Sequence, residues 1–202
     1  MLRLDVTDLA CRRGERLVVS GVTFGLGGGE ALVITGRNGA GKSTLLAALS
    51  GLLRPDRGSV SFSGTGDRPG RESCHYLAHR DGLKGALTCR ENLAFAARLL
   101  GDPMRPPAEA LASVGLSAAA ELPAGILSAG QRRRLALARL LVARRPLWLL
   151  DEPGTALDAE GQEMLAGLMR GHREGGGAIV AATHAPLGLP DARMLELTRV
   201  AA

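Results

Sequence analysis
Gly36 to Ser43 reads GRNGAGKS and fits the pattern GxxxxGK[ST], directly after the apolar run EALVIT and before the apolar helical stripe LLAALSGLL, which ends at Pro55. A strand feeding a glycine-rich turn that opens a helix aims several backbone N–H groups at one anion, and the helix start adds positive potential. Lys42 supplies a compact charge for terminal phosphates and Ser43 a hydroxyl for magnesium. The lysine makes the match informative. Of 25 lysine and arginine residues only Lys42 and Lys84 are lysines, so the composition predicts roughly 0.004 chance matches in the chain.

The remaining patterns fall into two groups. LRLDVTDLA and RLVVSGVTFGL alternate apolar and polar residues, as half-buried strands of an antiparallel layer do. PLWLLDEP and GAIVAATH are apolar enough to be buried on both faces of a parallel sheet. From about Thr88 to Arg145 the signals are helical: Thr88 with Glu91 spells a capping box before NLAFAARLL, and PAEALASVGL and QRRRLALARLLVA follow. The expected class is α/β, a mixed β core with an antiparallel β layer and an inserted helical subdomain. Residues 1–87 and 146–202 form the expected core of a single domain and 88–145 the helical subdomain. Gly64 to Glu72 is turn-rich and reads as a surface loop.

Composition excludes several classes. Apolar residues make up 46% of the chain, yet Arg and Gly interrupt every run before it reaches the ~18 residues of a membrane span. Asp5 and Asp8 break the pattern of a secretory leader, so the chain is expected to stay in the cytoplasm. Cys11, Cys74 and Cys89 lack CxxC spacing and read as reduced thiols. Cys74, His75 and His79 do not make a metal or haem site, because on a strand Cys74 faces away from His75. A net charge of +5 with one Trp, one Tyr and three Phe gives no support for nucleic acid as a partner.

LWLLDEP adds the second half of the chemistry. An apolar strand delivers Asp151 and Glu152 to its C-terminal edge, where open α/β sheets bind ligands. Adjacent acids there point in different directions, so one can orient hydrated magnesium while the next polarises an attacking water. In LSAGQRRRLALARLL, Ser128 and Gln131 spell a second capping box. Arg132, Arg133 and Arg134 crowd that helix start against its dipole, and a nearby anion is the expected relief.

GRNGAGKS, LSAGQ, LLDEP, TALD and His184 in AATH, in that order, resemble the nucleotide-binding subunit of ATP-binding-cassette (ABC) transporters across essentially the whole chain. The resemblance implies a P-loop NTPase fold of the ABC ATPase type, with ATP and Mg2+ bound. It also implies a homodimer in which two subunits sandwich two ATP molecules, the signature helix of each facing the phosphates held by the other. Carried over, the nucleotide contacts are Gly36, Arg37, Asn38, Gly39, Ala40, Gly41, Lys42, Ser43 and Thr44, with Ser43 and Asp151 as metal ligands. Ser128, Gly130 and Gln131 belong to the partner's ATP and Asp158 to the dimer seam. Glu152 is the general base, and His184 contacts the γ-phosphate.

Three positions depart from the family pattern. Arg12 or Arg13 stands where an aromatic residue usually stacks on adenine, so a guanidinium is expected to stack instead. Ala129 replaces a glycine of the signature. His79 stands where glutamine is usual, in the segment linking the γ-phosphate site to the membrane partner. Magnesium prefers hard oxygen ligands, so His79 is expected to bond the attacking water or the γ-phosphate as a catalytic gate.

YLAHRDGLKGALTCRENLAFAARLLG is similar to the cytochrome c maturation branch of the family. That implies a peripheral ATPase on the cytoplasmic face of a bacterial inner membrane, working with integral permease subunits in haem export or release of a haem-loaded chaperone. Arg80, Asp81 and Lys84 are then expected to dock the membrane subunit. The alternatives are an ABC exporter subunit for another substrate, or a soluble ABC ATPase. The latter would normally carry a coiled-coil insertion or a duplicated cassette, for which the chain has no room.

Overall fold
Strands β1 (Arg3–Arg13) and β2 (Arg16–Gly27) form a hairpin, and β3 (Ala31–Thr35) follows it into a second sheet. This computed structural model describes residues 1–66 and 70–200. β4 (Arg57–Ser63) pairs with the other edge of β1, giving an antiparallel layer in the order β2-β1-β4. Leu4 lies opposite Leu26 and Val6 opposite Phe24, so the apolar half of each alternating pattern shares one face.

The second sheet has the order β5-β6-β7-β3-β8, with β5 (Cys74–Leu77), β6 (Leu147–Asp151), β7 (Ala178–Ala182) and β8 (Arg193–Glu196). β6, β7, β3 and β8 run parallel. Every residue of β6 and β7 is buried, as strands covered on both faces must be. Helix α1 (Lys42–Leu49) packs on β6 and β7. Leu45, Leu46 and Leu49 join Leu4, Leu9 and Leu26 of the antiparallel layer and Leu149 and Val180 of the parallel sheet in one core. α1 stops at Leu49, short of Pro55, because Ser50 caps it and Gly51 turns the chain at φ 74.

Register sets the site. Ile34 of β3 and Asp151 of β6 both stand beside Ala182 of β7, so β6 and β7 end level, β3 runs one residue further to Thr35, and the segments that follow emerge at one edge.

Two compact units divide the chain. One comprises Met1–Tyr76, Arg145–Glu152 and Leu168–Ala202; the other comprises Leu77–Arg144 and Pro153–Gly167. The second unit contains α2 (Cys89–Leu100), α3 (Pro107–Ala112) and α4 (Ala129–Ala138), with α3 contacting both neighbours. Both capping boxes are formed: Thr88 with Glu91 opens α2, and Ser128 with Gln131 opens α4. Within the turn-rich stretch 64–72, residues 67–69 lie outside the described residues, and Gly70–Ser73 form a short 3-10 turn.

Helix α5 (Ala159–Glu174) carries a half-buried ring that the sequence patterns do not announce. His172 stacks on Trp148 of β6 with centroids 4.0 Å apart and planes 10° from parallel. A side chain at Gly177 would collide with the same ring. Burial pushes the His172 pKa down to about 4, against the opposing pull of the Ala178 and Pro146 carbonyls. A folded-state value below the ordinary 6.5 means that the unfolded chain takes up the proton first. The associated stability is therefore complete above pH ~6.5 and is lost as the pH falls toward 4, roughly 3 kcal/mol in all. Urea midpoints measured from pH 7 to 4 should fall in the wild type, and His172→Phe should flatten that slope; parallel slopes would contradict the assignment.

Candidate functional site
The loop after β3 has the backbone conformations that its glycines allow. Gly36 (φ 132), Gly39 (φ 80) and Gly41 (φ 102) lie in the left-handed region. At Gly36 a side chain would strike the Leu197 carbonyl, and at Gly41 it would come within 2.8 Å of Val19 Cγ2 and 2.9 Å of the Val18 carbonyl. Gly41 is the N-cap of α1. Arg37, Asn38 and Gly39 are exposed at the tip, Ala40 and Thr44 are buried, and Ser43 is half-buried in the first turn of the helix.

Lys42 is only 8% exposed. Its Nζ donates to the Gly36 carbonyl at 2.7 Å and lies 2.8 Å from His184 Nε2. An ammonium has no lone pair, so Nε2 is the acceptor and the ring proton sits on Nδ1. Asn38 Oδ1 lies 3.0 Å from the same nitrogen. An open cavity of about 660 Å³ lies over Gly36, Arg37, Asn38, His184 and Glu196.

Asp151, 4% exposed, ends β6, and Glu152 follows at φ 46 with its N–H on the Ala182 carbonyl at 2.8 Å. Positive φ at a residue with a side chain is a strained choice, held here by the strand beside it. Glu152 Oε1 lies 3.8 Å from His184 Nε2, and Oε2 accepts from Thr183 Oγ1 at 3.2 Å. Lys42, Asn38, His184, Asp151 and Glu152 thus come together at the strand ends.

In the second unit, Ser128, Gly130, Gln131 and Asp158 line one cavity of about 430 Å³ with Arg134. Ser128 Oγ accepts the Gln131 amide at 3.2 Å, and Gln131 Oε1 accepts the Ser128 amide at 2.9 Å. The Ala156 carbonyl lies 3.0 Å from where a side chain at Gly130 would begin, a tight approach that glycine makes without displacing its neighbour. Asp158 Oδ1 accepts from the Gly161 amide at 2.8 Å and from Arg134 at 3.0 Å. The Gly161 amide first, then Arg134, hold its carboxyl below the usual carboxylate range.

The three arginines of α4 all have partners within the chain. Arg132 donates to the Leu127 carbonyl at 2.5 Å, and Arg134 pairs with Asp158. Arg133, 3% exposed, donates to the Pro153 carbonyl at 3.0 Å, the Ala78 carbonyl at 3.2 Å and Asp81 Oδ1 at 3.0 Å. Arg139 adds bonds to the Asp81 and Gly82 carbonyls at 3.0 and 3.2 Å. Two arginines therefore grip the segment on which His79 stands exposed. Of the arginines at the end of β1, both exposed, Arg12 donates its guanidinium to the Glu15 carbonyl and its amide to Asp56.

A family model described as ABC transporter matches residues 19–155. The chain belongs to the ABC transporter family. Similar family members include the cytochrome c biogenesis ATP-binding export protein CcmA of Rhodopseudomonas palustris (strain HaA2), 55% identical over 96% of this chain and 97% of that protein. The protein of the same name from Bradyrhizobium diazoefficiens is 52% identical over 99% and 100%. Among solved structures, the ATP-binding subunit of an ABC transporter aligns with a TM-score of 0.84 at 26% identity, covering 96% of this chain and 85% of that one. A dimeric ATP-binding cassette in a post-hydrolysis state bound to ADP and Pi aligns with a TM-score of 0.85 at 25% identity, covering 96% and 94%.

Two contributors to this ABC ATPase site carry no signal of their own in the sequence. Thr183 is one residue among many hydroxyls until β7 is known to end beside Glu152, and Arg133 looks like its neighbours until its burial is seen. Arg133→Met should destabilise the chain by about 2–4 kcal/mol, because two carbonyls and a carboxylate lose a buried partner. Arg132→Met should cost less than about 1 kcal/mol. Equal losses in chemical denaturation would contradict the ranking.

Proposed function
We propose that this ABC ATPase is the ATP-hydrolysing subunit of an export complex in cytochrome c biogenesis, on the cytoplasmic face of a bacterial inner membrane. The biological assignment is supported by full-length identity of 50–55% to several export proteins of that name. Among the described residues no helix is long and apolar enough to cross a membrane, so integral permease subunits are the proposed anchors. Haem, or a haem-loaded chaperone released by the cycle, is the proposed cargo.

The observation that carries the ATPase reading is the buried Lys42 ammonium, held on Gly36 and His184 beside Glu152. Two of its three protons are placed, and a phosphate oxygen can take the third without loss of the Gly36 bond. The loop amides from Gly36 to Thr44 and the start of α1 supply further positive potential. A water adds to the γ-phosphorus, the bond to the β,γ-bridging oxygen breaks with its electron pair leaving on ADP, and the water's proton passes to Glu152 and then to solvent.

Ser43 and Asp151 are hard oxygen donors of the kind magnesium takes alongside substrate phosphates and water. They suit the ion, which would neutralise phosphate charge when bound. Among the described residues no three carboxylates, imidazoles or thiols cluster as a metal cage, and a phosphate-assisted ion needs none. Ser128, Gly130 and Gln131 are proposed to complete the site of a second copy, with Asp158 at the seam. His79 is proposed to bond the attacking water or the γ-phosphate, with Arg80, Asp81 and Lys84 meeting the permease.

Glu152→Gln should keep ATP affinity and lower turnover on the order of 10²-fold or more; near-normal steady-state hydrolysis would remove Glu152 from that role. In the permease-bound complex, His79→Gln should change the stimulation of hydrolysis by the permease. Identical stimulation of variant and wild type would exclude His79 as a gate.

A further inference from the structure
The hydroxyl of Thr183 is buried, with the residue 3% exposed, and it touches both catalytic segments at the strand ends. It accepts the Ala185 N–H at 3.0 Å, which fixes the turn carrying His184. Its single proton has two acceptors, Glu152 Oε2 at 3.2 Å and the Ala185 carbonyl at 3.4 Å. A bond to an ionised oxygen is the stronger of the two.

From this we infer that Thr183 is a positioning residue for hydrolysis: it holds Glu152 by Oε2, so that Oε1, on the His184 side at 3.8 Å, receives the proton of the attacking water. The inference rests on Glu152 being the general base. One proton with two acceptors has a mechanical consequence. When the carboxylate swings away after taking the proton, the hydroxyl rotates to the Ala185 carbonyl, and no buried donor is left without a partner. The bond to the Ala185 N–H persists in both positions, so the turn carrying His184 stays fixed while the base moves. Lys42 reaches the same His184 ring from the phosphate loop, so Thr183 keeps base, histidine and loop in one frame.

Thr183→Val keeps the shape and removes the hydroxyl. In the full chain we expect kcat for ATP hydrolysis to fall about 10-fold or more, with KM and nucleotide affinity within about 2-fold of wild type. Thr183→Ser should bring kcat back to within a few-fold of wild type. In a Glu152→Ala background, Thr183→Val should have no further effect on the residual rate, since its only route of action is gone. Wild-type kcat in Thr183→Val, a loss confined to KM, or an equal loss in the Glu152→Ala background would overturn the assignment. Should Thr183→Val fail to fold, Thr183→Ser carries the test. The added rotamer freedom of serine should lower kcat a few-fold when Glu152 is present and not at all in the Glu152→Ala background, and any other pattern overturns the proposal. Glu152→Gln separates the two readings: if it hydrolyses normally, the base assignment falls and Thr183 with it; if it is inactive while Thr183→Val is normal, only the Thr183 assignment falls.

Discussion
Ile34, Ala182 and Asp151 stand abreast in three parallel strands, and the chemistry depends on that register. A shift of one residue in β7 would reverse which side chains face the site. It would also move Thr183 and His184 away from Glu152 and Lys42. The wholly buried β6 and β7 make such a shift costly, because each position would exchange a packed side chain for a mismatched one. Rigid strands therefore fix what the loops need, and the loops carry the polar groups.

At the strand ends the chain adopts conformations that only a firm frame sustains. Glu152 has positive φ while its N–H remains bonded to Ala182. A side chain at Gly36 would run into Leu197 and one at Gly41 into Val19, so the phosphate loop is set by close packing as well as by backbone freedom. Lys42 is buried with an ammonium that has found a carbonyl and an imidazole nitrogen. This cation is preorganised for an anion, which raises its value in binding charge. The second unit uses arginine in the same way: Arg133 and Arg139 satisfy backbone oxygens around His79, and Arg134 holds Asp158 at the start of α5.

Much of the fold is legible in the sequence where local chemistry and tertiary need agree. The alternation in β1 and β2, the apolar runs of β3, β6 and β7, and the capping boxes at Thr88 and Ser128 all appear as elements. β4 and β8 leave weak signals because most of their residues are exposed. α5 is masked by Gly161, Gly167 and Gly171, which lower its intrinsic propensity although burial of Leu165 and Met169 anchors it. The arginines after Ser128 suggest an external anion from charge alone, and the fold adds carbonyl and carboxylate partners within the chain that no spacing announces. Thr183 and the Trp148–His172 stack act through partners distant in sequence, which no spacing encodes.

We propose that two copies build each hydrolytic site, one giving Lys42 and Glu152 and the other Ser128 and Gly130. Mixing two inactive variants tests it directly, because in a two-fold dimer of Lys42→Ala with Ser128→Arg both defects fall in one site and the other is intact. Steady-state ATP hydrolysis of a one-to-one mixture should rise above that of either variant alone, to roughly a quarter of wild type if pairing is random and the sites act independently. A mixture that stays as inactive as its components, with mixed dimers demonstrably present, would contradict the account.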